Sequence, residues 1–337
     1  MTRVAVVILN YNRCDLLRKY LPIIVQHSGD ASIVVADNGS KDGSADMVEH
    51  DFPYVRVIRI TVNLGFCGGY NTALRQVDAD YYVLLNSDVE VTAGWIEPLQ
   101  HVLDRQPEVA AVQPKILSLT ERHMFEYAGA GGGLIDTLGY PFCRGRLFYV
   151  LEPDQGQFND SRPIFWSSGA AMMIRASLFH QMGGLDEDFF AHMEEIDLCW
   201  RMQRAGHVIW YEGTSTVYHL GGGTLSVSNP FKTYLNFKNG LSLLYKNLPA
   251  SELIFKFPIR IVLDWIAALK FTLTGSWRDG GSVIRAHLHF FRHYARERGR
   301  RKKAAAFGYR DMQQQYKGSV VWAFFGAGKR RFEQLNF

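Results

Sequence analysis

The chain has 337 residues, 47% of them hydrophobic and 21% charged, with a formal net charge of +4. That balance excludes a disordered protein and leaves enough apolar material for a large core, in one domain with an appendage or in two. The four cysteines, Cys14, Cys67, Cys143 and Cys199, are scattered without a CxxC pair, which excludes a cysteine metal site and fits reduced thiols in a cytosolic protein.

Residues 4–9 form an apolar run without alternation, the pattern of a strand buried on both faces. The run is too short for the core of a secretory leader and passes into polar Asn10-Tyr11-Asn12, so no leader is expected. Residues 13–27 carry Leu16, Leu17, Tyr20, Leu21 and Ile24 at helical spacing. A second strand, 32–36, ends in the turn cluster Asp37-Asn38-Gly39-Ser40. A helix through His50, capped by Asp42 or Ser44, and a third strand over 55–60 follow. Residues 63–71 read as a glycine-rich loop leading into a helix, and 81–85 as another buried strand, closed by Asn86-Ser87-Asp88. Such alternation predicts an α/β sheet of mainly parallel order. Ligands of these sheets sit beyond the carboxyl ends of the strands, where Asn10, Asp37, Asn63 and Asp88 all fall. A dinucleotide fold is disfavoured, because the turn after the first strand lacks GxGxxG.

A second acidic cluster, Met193-Glu194-Glu195-Ile196-Asp197, opens a helix-like segment, where the macrodipole favours negative charge. By itself it reads as a helix cap. Together with Asp88, each cluster following a core-like element, it suggests a metal site with an acid or base opposite.

Charge divides the chain. Residues 1–225 hold 17 Lys and Arg against 27 Asp and Glu, whereas 226–337 hold 20 against 6. Such a split marks two functional regions. Residues 253–274 look apolar enough for a membrane span until Lys256, Arg260, Asp264 and Lys270 are seen to share one helical face. An amphipathic helix is therefore expected, with Leu253, Phe255, Ile259, Trp265 and Leu269 on its apolar face. It either packs on the rest of the protein or lies in a membrane interface. Residues 285–303 carry eight Lys and Arg and one acidic residue, interleaved with Phe290, Phe291 and Tyr294. That pattern suits an anionic membrane surface through residues 253–303. No nucleic-acid partner is expected, since no binding motif appears and the first region is acidic.

Eight motifs occur in order: Val-Ile-Leu-Asn-Tyr-Asn at 7–12, Val-Ala-Asp-Asn-Gly-Ser at 35–40, Asn-Leu-Gly-Phe-Cys-Gly-Gly-Tyr-Asn at 63–71, Leu-Leu-Asn-Ser-Asp-Val at 84–89, Ser-Gly-Ala at 168–170, Gly-Gly-Leu-Asp-Glu-Asp-Phe-Phe at 183–190, residues 193–201, and Tyr-His-Leu-Gly-Gly-Gly at 218–223. Over roughly residues 3–225 the chain resembles family 2 glycosyltransferases, in particular rhamnosyltransferase-like enzymes of bacterial surface-polysaccharide assembly. The resemblance implies a GT-A fold, an α/β architecture with a mainly parallel mixed sheet, in a catalytic domain over 1–225. A nucleotide-sugar half would span about 1–117 and an acceptor half about 118–225, with 226–337 a basic helical extension.

The activity implied is inverting hexosyl transfer, assisted by a divalent cation (Mn²⁺ or Mg²⁺). The donor would be a nucleotide-diphosphate sugar of UDP or dTDP type, and the acceptor a lipid-linked oligosaccharide. The protein would sit peripherally on the cytoplasmic face of the plasma membrane. By the same resemblance Asp37 matches the residue that binds the base, Asn10 and Asn12 the pocket floor, and Asn63, Gly68, Gly69, Tyr70 and Asn71 the loop closing over it. Asp88 matches the metal carboxylate of a DxD-type motif, whose first carboxylate is here Asn86, suited to a ribose hydroxyl or metal-bound water. His219 matches a residue completing the metal's coordination. Glu195 matches the general base and Glu194 an acceptor-sugar ligand, with Asp197 as cap or support. Trp166, Trp200 and Trp210 read as core, Trp166 also as lining the acceptor groove. His192 reads as a packing residue, and Asp186 and Asp188 as turn residues near the acceptor. Residues 121–161 lack periodicity and read as a loop region over the acceptor side. A catalytically inactive sugar-nucleotide-binding or scaffold relative is the alternative. A nucleotidyltransferase would need a basic glycine-rich loop after the first strand, which Leu9-Asn10-Tyr11-Asn12 does not offer.

Overall fold

The computed structural model describes residues 3–221, 229–310, 312 and 314–337. Gly222 and Gly223 of the last motif, and the expected domain boundary at 225/226, lie outside the described residues.

The chain runs β1 (Val4–Asn10), α1 (Cys14–His27), β2 (Ser32–Asn38), α2 (Ser44–Asp51), β3 (Arg56–Ile60), α3 (Gly65–Leu74), β4 (Tyr81–Asn86), β5 (Val89–Val91), α4 (Ile96–Arg105) and β6 (Val109–Ser118). A small sheet of β7 (Gly133–Asp136), β8 (Pro141–Cys143), β9 (Arg146–Leu147) and β10 (Val150–Leu151) follows. Then come β11 (Ser161–Ile164), β12 (Ala171–Arg175), α5 (Ala176–Gln181), α6 (Glu194–Arg204) and β13 (Val208–His219). The remainder is α7 (Pro230–Asn247), α8 (Ala250–Leu273), α9 (Trp277–Arg292), α10 (Tyr294–Ala305) and β14 (Gln315–Tyr316).

The main sheet has nine strands in the order β11-β13-β6-β12-β4-β1-β2-β3, with β5 on β13. β1 pairs in parallel with β2 and β4, and β2 with β3, while β12 enters antiparallel between β4 and β6. Both faces are covered, which is why β1 reads as an unbroken apolar run. Val4, Val6 and Ile8 pack with α1 and α4, whereas Ala5 and Val7 face the layer holding α3, α5 and α6. The strand period of two thus feeds two separate cores.

Three sequence expectations change. β2 continues through Asp37 and Asn38, because Asp37 and Asn38 pair with Arg59 and Ile60 of β3. Residues 65–71 are not a loop: α3 starts at Gly65 itself. The 121–161 segment folds into β7–β10, completed by β14 from the far end of the chain, over a cluster that includes Leu134, Phe142, Leu147 and Phe324. Its strands are two to four residues long, too short to display a period.

The amphipathic helix α8 packs with Arg260 and Asp264 of its charged stripe inward, while Lys270 is exposed. Arg260 and Asp264 are 3% and 0% exposed. Arg260 Nε donates to Asp264 Oδ1 at 2.8 Å, and its guanidinium stacks on Tyr140, whose hydroxyl also donates to Asp264. His287 of α9 lies 3.2 Å from the other Asp264 oxygen. The apolar residues Phe255, Ile259, Trp265 and Leu269 face outward, 50–71% exposed, whereas Leu253 is half-buried against the core. Among the described residues no helix is long and apolar enough to cross a membrane.

Candidate active site

The sheet's parallel strands end together, and their terminal residues lock one another. Asn10 closes β1, and its amide donates to Asp37 Oδ1 and Ser40 Oγ, both at 3.2 Å. The other Asp37 oxygen accepts from Ser40 N at 3.1 Å. Asn12, in a left-handed conformation (φ 51°), accepts from Lys41 N at 2.7 Å. Asn38, unassigned by sequence reasoning, donates to Asn63 Oδ1 and Gly65 O and accepts from Leu64 N. Asn63 in turn accepts from Gly65 N at 2.8 Å. Polar side chains at the ends of β1, β2 and β3 thus build one rim.

Gly68, Gly69 and Asn71 also make contacts within the fold. A Cβ on Gly68 would fall 2.7 Å from Leu64 Cβ, and one on Gly69 would fall 2.7 Å from Leu9 Cδ1. These glycines let α3 press on the sheet. Tyr70 is fully buried and donates to Leu85 O. Asn71 is consumed in bonds to Leu185 N and O and to Glu187, tying α3 to the turn before α6. Trp166 is buried as well, its indole donating to Leu134 O at 2.8 Å. That places most of its surface in the core.

At the end of β4, β5 pairs antiparallel with β13 so that His219 lies opposite Val89, next to Asp88. His219 Nε2 is 3.1 Å from Asp88 Oδ1 and 3.5 Å from Asn86 Nδ2. His219 Nδ1 is 3.2 Å from Glu126 Oε2, an ion-pair distance without hydrogen-bond alignment. Burial opposes a charge on this ring, but Asp88 and Glu126 outweigh it and push the imidazole up to about 10. Burial likewise works against the Asp88 charge, and the His219 cation outweighs it, holding Asp88 below the ordinary carboxylate range; Arg13, beyond β1, adds to this. Glu126 and Arg13 were not singled out in the sequence, Glu126 because it stands in an aperiodic segment.

Asp88 and His219 have the chemistry to hold a divalent cation, provided that the ion displaces the ring proton. Two adjacent ligands at about 2.1 Å from one octahedral ion lie about 3 Å apart, which matches their separation. An oxygen beside an imidazole suits Mn²⁺ better than Mg²⁺. Among the described residues no group of three or more His, Cys, Asp or Glu is arranged to hold a metal, so further ligands would come from the ion's own partners.

Glu194 and Glu195 open α6. Glu194 is buried, and neither its Oε2 nor that of Glu195 has a hydrogen-bond partner. Burial, and then the neighbouring Glu195, holds Glu194 well above the ordinary carboxyl range. Burial pushes Glu195 up to about 7, against backbone N–H groups at the helix start that favour its charge. Asp197, one turn in, is a support and not a cap. It is fully buried and accepts from Arg201 Nε, Lys246 Nζ and Asn247 Nδ2. Burial opposes its charge, but Lys246 and Arg201 hold it far below the ordinary value. His192 packs: burial, then Lys232, holds its imidazole down to about 4. Asp186 meets Lys246 and Arg300, and Asp188 meets Arg296 and Arg300.

The two acidic centres adjoin through 168–170. Asn86 N donates to Ala170 O at 3.0 Å, and a Cβ on the neighbouring Gly169 would lie 4.0 Å from Glu195 Cβ. A carboxylate–imidazole pair and a carboxyl pair with one member poised near neutrality thus both border residues 168–170.

The Glycosyl transferase family 2 model matches residues 5–182. N-acetylglucosaminyl-diphospho-decaprenol L-rhamnosyltransferase of Mycobacterium tuberculosis is 30% identical over 205 residues. That match takes in 56% of this chain and 66%, just under two thirds, of the relative. Among solved structures, GalNAc-T7 with UDP, GalNAc and Mn²⁺ aligns with a TM-score of 0.57 at 14% identity, over 73% of this chain and 48% of that one. Mannosyltransferase PcManGT from Pyrobaculum calidifontis, in complex with GDP-Man and Mn²⁺, aligns with a TM-score of 0.51 at 13% identity, over 90% and 86%. These structural likenesses are ones of fold, a GT-A sheet with helices following it.

Proposed function

The chain belongs to glycosyltransferase family 2, and on that premise we propose that it moves one sugar from a nucleotide-diphosphate donor, of UDP or dTDP type, to a hydroxyl of a lipid-linked glycan, with inversion, in surface-polysaccharide assembly. The observation that carries this reading is that the near-neutral Glu195 and the Asp88–His219 pair both border residues 168–170. The name of the mycobacterial relative, an N-acetylglucosaminyl-diphospho-decaprenol L-rhamnosyltransferase, supports a rhamnosyl-like donor and a lipid-diphosphate acceptor.

In this reading Asn10, Asn12, Asp37, Asn63 and Asn86 form the donor side, and Asp88 with His219 would hold the cation. When bound, Mn²⁺ or Mg²⁺ supplies positive charge against the departing diphosphate. Glu195 accepts the acceptor hydroxyl's proton as that oxygen bonds to the anomeric carbon and the bond to the diphosphate breaks. A carboxyl that titrates near 7 is about half ionised under neutral conditions and is basic enough to take the proton. Glu194, held protonated, donates a hydrogen bond to the acceptor sugar.

Association with the membrane face is part of the same proposal. The outward residues of α8, with exposed Trp277, Leu288 and Phe291 of α9, form an apolar surface beside basic α10. A groove of about 680 Å³ in that region, lined by Leu253, Ile254, Phe257, Phe290 and Phe291 with Arg301, suits a lipid chain with an anionic head.

The deciding experiment is calorimetric binding of UDP, dTDP and GDP, with and without Mn²⁺, to the wild type and Asp88→Asn. Metal-dependent binding of one nucleotide, weakened at least tenfold in the variant, is expected. No binding of any nucleotide, with or without liposomes, would overturn the reading in favour of an inactive relative.

A further inference from the structure

The link from the turn at residues 187–189 into α6 is held by a helix that the family model does not reach. Three of its residues adopt left-handed backbone without being glycine: Phe190 (φ 66°), His192 (φ 69°) and Met193 (φ 74°). Such conformations are strained and persist only where surroundings over-determine them. Here every carbonyl from 188 to 192 accepts a hydrogen bond from another part of the chain or from the link itself. Lys238 Nζ of α7 donates to Asp188 O at 2.8 Å. Asn239 Nδ2 donates to Phe189 O at 3.1 Å, Ala191 O at 2.8 Å and His192 O at 2.7 Å. Phe66 N, in the first turn of α3, donates to Phe190 O at 3.0 Å. Asn239 is 0% exposed. Glu194 and Glu195 follow directly.

We infer that Asn239 is a positioning residue of the active site. Its amide supplies two hydrogens shared among three carbonyls, and so fixes the strained path that sets where Glu194 and Glu195 emerge at the start of α6. Aspartate has the same shape but cannot donate when ionised, and alanine offers nothing. α7 thereby becomes part of the catalytic unit although it lies beyond residue 182, where the family match ends. The inference rests on Glu195 as the base.

The test uses the full chain with Asn239→Ala, Asn239→Asp, Lys238→Met and Glu195→Gln. Turnover is read as nucleoside diphosphate released from dTDP-rhamnose with a short-chain N-acetylglucosaminyl-diphospho-lipid, nucleotide affinity by calorimetry, and amide exchange over 188–195. Both Asn239 variants are expected to lose at least tenfold in kcat with nucleotide Kd unchanged within twofold, and to exchange faster over that segment alone. Lys238→Met, which removes one of the five bonds, is expected to show a smaller loss of the same kind. Normal kcat and exchange in Asn239→Ala would overturn the inference. So would a loss of nucleotide affinity matching the loss of kcat, which marks general damage. If neither Asn239 variant folds, Lys238→Met decides: reduced kcat supports the inference and unchanged kcat sinks it. Near-normal turnover in Glu195→Gln would instead defeat the base assignment, whatever the Asn239 variants do.

Discussion

At the residue scale, the site is governed by charges that burial makes expensive to leave uncompensated. Asp88 and Glu126 flank His219, and each depends on the ring between them. Asp88→Asn would remove the nearer anion and, with it, the donor that matches a cation. The Glu195 carboxyl, raised to about 7 by burial, carries a pH signature. As a base it works only when deprotonated, so kcat is expected to fall as pH drops through about 7, approaching tenfold per unit below it. A kcat–pH profile with its acid limb near pH 4 would place the base elsewhere. Asp37, Asp88, Glu195 and His219 stood out in the sequence because they follow strand ends or open a helix within recognisable motifs. Glu126 did not, since nothing in its neighbourhood signals that it returns alongside β6 to meet a histidine 93 positions later.

At the element scale, α8 is the most informative helix. Its periodicity was legible, but which face turns inward was not. A helix with Arg260, Asp264 and an apolar stripe packs either way, and here Tyr140 and His287 supply partners for the charges. The result is a buried ionic network with an apolar exterior. Phe255→Glu with Leu269→Glu is therefore expected to abolish co-sedimentation with phosphatidylglycerol vesicles while leaving Tm nearly unchanged, since both side chains face outward. Asp264→Asn, by contrast, is expected to destabilise by about 3–5 kcal/mol, because Arg260 would lose its buried partner. Denaturant unfolding of the two variants separates these outcomes. Vesicle binding by the double variant equal to wild type would refute the docking face.

At the scale of the whole molecule, the basic C-terminal region packs against the acidic first region through buried ion pairs. Lys246 bridges Asp186 and Asp197, Asn247 completes the Asp197 shell, Arg296 and Arg300 reach Asp186 and Asp188, and β14 adds an edge to β7. Truncation after residue 221 is expected to give insoluble or unfolded protein, because Asp197 would be left without Lys246 and Asn247. A soluble fragment with normal nucleotide affinity, measured by calorimetry, would show that the catalytic half stands alone. The charge asymmetry of the sequence becomes intelligible here: acidic loops of one half meet basic helices of the other. The sequence by itself determined the α/β alternation, the strand-end polar residues and the acidic opening of α6, because these follow from local periodicity and from residue chemistry at short spacing. Only the tertiary structure decided the inward turn of Arg260 and Asp264 on α8, the sheet built from residues 133–151 and 315–316, the Glu126–His219 contact and the grip of Asn239 on residues 189–192. Each of those joins positions distant in the chain, and their energies arise from burial and pairing that no local pattern encodes.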